Sequence, residues 1–92
     1  MFSDLLTFTT PKFQRANMMV ALLQIVLKKG GNVDAHRLEG LDVTNPAMAH
    51  VAIEILSGMR IQDKEASDTK SLTLSALHDA IRPEAPVFHV SN

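Results

Sequence analysis

Between residues 32 and 75 the hydrophobic period of the chain changes, and that change limits the folds open to it. Helical spacing comes first. Beyond Gly58, Met59 and Ile61 alternate with Arg60 and Gln62, and Leu72 and Leu74 alternate with Ser71, Thr73 and Ser75. Residues 63–70, between the two pieces, are polar apart from Ala66. Two period-2 segments around a polar loop predict a small β-hairpin, with its second strand ending near residue 75 and a short helix from there to residue 81. Leu74, Leu77 and Ile81 also fit helical spacing, so the alternative is a helix over residues 71–81.

The helices before Gly58 carry clear boundary signals. Thr10 can cap free backbone N–H groups, and Pro11 suits the first helical position because its missing N–H costs nothing there. Phe13, Ala16, Val20, Leu23 and Leu27 then recur at helical spacing to about residue 29. Lys28 and Lys29 favour a helix C-terminus, and Gly30-Gly31 supply the left-handed stop. Asn32 or Asp34 can cap a second, short helix bearing Ala35, Leu38 and Leu41. Asn45-Pro46 opens a third as Thr10-Pro11 opened the first, with Met48, Ala52, Ile55, Leu56 and Met59 facing inward and Asn45, Ala49, His50 and Glu54 facing out.

Ninety-two residues, 46% apolar and 21% charged, make one globular domain with one core. Its span is residues 1–82; Pro83 and Pro86 forbid regular helix, so residues 83–92 read as a tail. The longest nearly apolar run, residues 18–27, is half of what a membrane span requires, and residues 1–10 lack the features of a signal peptide. The expectation is a soluble cytoplasmic protein that does not enter a membrane.

The run Leu41-Asp42-Val43-Thr44, with Met48, Ala52, Ile55 and Leu56 at fixed offsets behind it, resembles a helix-turn-helix. Residues 55–61 resemble the exit of MarR-type winged-helix regulators into their wing, and residues 68–75 resemble the returning wing strand. The likeness covers about half the chain. It implies a mainly α domain with a small β-hairpin, of winged helix-turn-helix type; the alternative is an all-α small helical bundle. It further implies a transcriptional regulator binding double-stranded DNA, acting as a dimer. Asn45 and His50 are then candidate readers of base edges, and His36, Arg37, Arg60, Lys64 and Lys70 candidate backbone contacts.

Charge gives this little help, since nine Lys/Arg face ten Asp/Glu and the net charge is -1. That balance motivates a second expectation, a protein–protein module that binds no DNA: an adaptor, an anti-activator or a phage-encoded inhibitor. Met18, beside Leu22 and Ile25, gives the first helix a second apolar face, and Phe88 and Val90 give the tail an apolar end. These five are the candidate partner interface, for a second copy or another protein. Met19, Met48 and Met59 fall on inward stripes and read as core.

No enzyme signature is present. The chain has no cysteine, its four histidines (His36, His50, His78 and His89) lack the spacing that builds a metal site on one helix, and Gly30-Gly31 is a helix stop, not a phosphate loop. Neither a cofactor nor a metal is expected.

Overall fold

The computed structural model describes residues 10–83. In chain order it contains helix α1 (Pro11–Lys29), a 3-10 helix (Val33–Leu38), helix α2 (Pro46–Ser57) and helix α3 (Lys64–Ile81). The expected lead-in at residues 2–8 and the tail beyond Pro83 lie outside the described residues.

The ends of α1 follow from their residues. The Thr10 side chain accepts from the Phe13 N–H at 3.4 Å, and Pro11 holds the first helical position. At the other end Gly31, with φ +74°, donates to the Lys28 carbonyl at 3.0 Å, and Asn32 donates to that of Leu27 at 2.9 Å. That pair of bonds closes the helix on a left-handed glycine and satisfies two of its last carbonyls. Asn32 Oδ1 then accepts from Asp34 N–H at 2.8 Å and starts the expected short helix, which is a single tight 3-10 segment. The α2 start is as read from sequence, with Asn45 Oδ1 accepting from Met48 N–H at 2.9 Å ahead of Pro46. Its inner face is rotated from expectation. Ala49, expected outside, is fully buried with Ala52 and Leu56, while Met48 and Ile55 are half-buried.

The β-hairpin does not form. Among the described residues there is no strand, and the fold is the all-helical alternative. After a short irregular link over residues 59–62, Asp63 Oδ2 accepts from Ala66 N–H at 2.9 Å, and α3 runs unbroken through both the supposed loop and the supposed second strand. The polar stretch is the solvated start of that helix. Lys64 pairs with Asp68 one turn on at 3.0 Å, and Ala66 is its inward residue. The inner stripe continues through Thr73, Leu77 and Ala80, spaced seven, four and three residues apart. The Leu72/Leu74 alternation is accidental: Leu72 points to solvent and Leu74 is half-buried against the core. With the hairpin gone there is no wing, and the winged helix-turn-helix class is corrected to a small helical bundle.

α1 and α3 are the central pair. Thr73, midway along α3, bonds the Met19 carbonyl midway along α1, while Ala66 lies near Val26 and Leu27 and Ala80 near Phe13. The two helices are therefore antiparallel. α2 packs on α3, and the 3-10 helix packs on α1. Leu23, Leu27, Leu38, Leu56, Leu77, Val20 and Val43 fill the space between these elements, each stabilising the fold by about 1.5–3 kcal/mol. The link before α2 is pinned by a side chain: Val43 N–H donates to Asn17 Oδ1 of α1 at 2.8 Å.

Candidate interaction surface

Helix α1 has two apolar faces, and only one is used by the core. Ala16, Val20, Leu23 and Leu27 are buried, whereas Met18 is 70%, Leu22 46% and Ile25 62% exposed. A 19-residue helix offers a single stripe to its own domain, so apolar residues outside that stripe must face water or a partner. Met18, Leu22 and Ile25 are three and four residues apart and form one row down the helix.

This row borders the groove between α1 and α3. Arg15 and Met19 line the groove from α1; Leu72, Ser75, Ala76 and Asp79 line it from α3, with Arg82 at the end of that helix. Leu72, 63% exposed, thus extends the apolar surface onto the second helix. The sequence reading missed it because a strand assignment gave it no place on this face. Together these side chains expose a few hundred Å², the scale at which the largest apolar patch of a small protein is often functional. Phe88 and Val90 lie outside the described residues.

The residues named for DNA contact do not converge in the same way. His36 and Arg37 are exposed on the 3-10 helix, with the His36 ring nitrogen bonded to the Val33 carbonyl. The Asn45 side-chain oxygen is occupied as the α2 cap, and His50 is exposed further along α2. Arg60 is exposed in the link that follows. Lys64 and Lys70, placed by the sequence reading in a wing, are on α3. Lys64 pairs with Asp68, and Lys70 is half-buried, its Nζ donating to the Met59 carbonyl at 3.3 Å. The seven residues come from four separate segments, and Asn45, Lys64 and Lys70 already have partners within the fold.

Among the described residues no group of three or more histidine or acidic side chains is placed to hold a metal ion, and His36, His50 and His78 are exposed on three different elements. No helix of these residues is long and apolar enough to cross a membrane. Comparison with protein-family models, curated proteins and solved structures finds no match to this chain.

Proposed function

We infer that the protein is a protein–protein interaction module, acting in the cytoplasm through the α1/α3 face. The observation that carries this reading is the row Met18, Leu22 and Ile25, continued across the groove by Leu72. Covering such a row with a partner gains free energy in water, since burying each of these side chains contributes roughly 1.5–3 kcal/mol. The domain already fills its core from the opposite side of the same helix, so folding alone gives no reason for the second row. A partner surface does.

Transcription factor activity fits less well. The wing that was to hold the DNA backbone is a helix, the net charge is -1, and the cations named for phosphate contact are scattered. Phosphate neutralisation supplies much of the affinity of DNA-binding proteins.

Site-specific photocrosslinking in cells tests the reading. A photoreactive residue placed at Ile25 is expected to yield protein adducts, and the same group placed at His50, on α2, is not. Absence of any protein adduct from position 25 refutes the assignment of this face. A low-salt polarisation titration with random duplex DNA is expected to show no binding. Binding that weakens on Arg37→Glu and Arg60→Glu would restore the DNA reading instead.

A further inference from the structure

We propose that the α1/α3 face binds a second copy of the same chain, forming a two-fold antiparallel four-helix bundle in which α1 of each protomer lies on α3 of the other. The proposal rests on the interaction-surface reading above and names its partner.

Charge selects that partner. On α1 the outward positions Arg15, Met18, Leu22, Ile25 and Lys29 follow one another at spacings of three and four, and all are exposed. This is the seam spacing of packed helix pairs. On α3 the same spacing runs Glu65, Asp68, Leu72, Ser75 and Asp79, all exposed except the half-buried Asp79. One seam has basic ends and an apolar middle. The other has acidic ends around Leu72. Among the described residues none of Arg15, Lys29, Glu65 and Asp79 takes part in an ion pair, and Asp68 is engaged only with Lys64 at the surface. Such an exposed pair contributes little and is easily exchanged.

Register selects the arrangement. Thr73 is level with Met19, so counting along the antiparallel pair puts Arg15 level with Leu77, Leu22 with Lys70 and Lys29 with Asp63. A two-fold axis parallel to the helices preserves these levels. It brings Arg15 of one protomer to Asp79 of the other, and Lys29 to Glu65, each offset along the axis by about 3 Å. Arginine and lysine side chains span that easily. Leu72 then enters between Met18 and Leu22 of the partner. Arg82 lines the same groove as Arg15 but lies about 7 Å further along the axis, beyond Asp79. A two-fold axis perpendicular to the helices would stack α1 on α1, with Arg15 beside Lys29, and the acidic seams on each other. Opposed like charges disfavour that packing.

Size is sufficient as well. α1 and α3, with 19 and 18 residues, are each about 27–28 Å long, and two helices side by side make a ridged face roughly 20 Å wide. That footprint, ridges included, approaches the ~800 Å² per partner of a standard specific interface. All four neighbouring helix pairs are antiparallel, as in up-down bundles.

Light scattering on the purified full chain at increasing concentration tests the proposal. Twice the 10.1 kDa chain mass is expected. Ile25→Asp should raise the dimer dissociation constant by roughly 10- to 100-fold, with an unchanged circular dichroism spectrum because position 25 is exposed. The sharper experiment mixes two variants. A chain with Arg15→Glu and Lys29→Glu, and a chain with Glu65→Lys and Asp79→Lys, should each be monomeric alone and should pair when combined, because both interfaces of the mixed dimer regain opposite charges. A monomeric wild type up to sub-millimolar concentration overturns the proposal, and so does a mixture that fails to pair. If the Ile25 photocrosslink then contains a different protein, the interaction reading stands and the self-partner falls; if it contains none, both fall.

Discussion

The hydroxyl of Thr73 lies 2.7 Å from the Thr69 carbonyl of its own helix and 3.3 Å from the Met19 carbonyl of α1, with Thr73 fully buried. One proton serves two acceptors, and the shorter bond takes most of it. This back-bond lets a polar residue occupy the centre of the α1/α3 contact without an unpaired donor. It also marks where the two helices approach each other midway.

Thr73→Val should therefore change stability by no more than about 1 kcal/mol, because the donor is removed and the acceptors are helix carbonyls that belong to their own ladders. Thr73→Ala should cost more, about 1–2 kcal/mol, since it deletes packed volume as well. Urea unfolding of the two variants checks the order. If valine cost as much as alanine, the hydroxyl would hold the helix pair together and not simply be accommodated by it.

Asp63→Ala should destabilise the protein by about 1 kcal/mol, and Asp63→Asn by much less. The carboxylate caps α3 at the Ala66 N–H, and an Asn oxygen can accept the same bond. The loss should appear as a lower thermal midpoint and a smaller helical signal at intermediate temperature. An unchanged midpoint for the alanine variant would place the start of α3 elsewhere.

These two positions also explain which parts of the fold were legible in the sequence. α1 and α2 announce themselves because Thr10-Pro11 and Asn45-Pro46 combine a capping side chain with a proline, and Gly30-Gly31 ends α1. α3 has no proline at its start. Its cap, Asp63, is one acid within a polar run, and its inward stripe begins with a lone Ala66 and passes through a threonine. Hydrophobic periodicity is blind to a stripe built from Ala and Thr, so the exposed Leu72 and half-buried Leu74 supplied a false two-residue period. The same misreading hid half of the candidate site. Met18, Leu22 and Ile25 stood out as apolar residues left over from a helix whose core face was already assigned. Leu72 and the acids around it became readable only once α3 was a helix.

Asn17→Ala should cost about 1–3 kcal/mol, larger than usual for a half-buried surface-helix residue. Its Oδ1 is the acceptor for the buried Val43 N–H, and without it that donor has no partner and the link into α2 loses its anchor to α1. Amide hydrogen exchange reads this directly. Val43 should lose protection in the variant far more than α1 residues on the other side of the helix. Uniform loss of protection would instead indicate global destabilisation with no local anchor.

Of the three leucines of α3, Leu72 and Leu74 separate helix from hairpin most cleanly. Leu77 is fully buried and Leu72 is 63% exposed, which follows from their five-residue spacing of about 140° around the helix. Leu77→Ala should cost about 2–5 kcal/mol, while Leu72→Ala should cost well under 1 kcal/mol in the monomer. Leu74→Ala, at a half-buried position against the core, should fall between them. In a wing hairpin Leu72 and Leu74 share one face and would be hit equally. A graded series measured by chemical unfolding at low protein concentration therefore supports α3, and equal losses at positions 72 and 74 would contradict it.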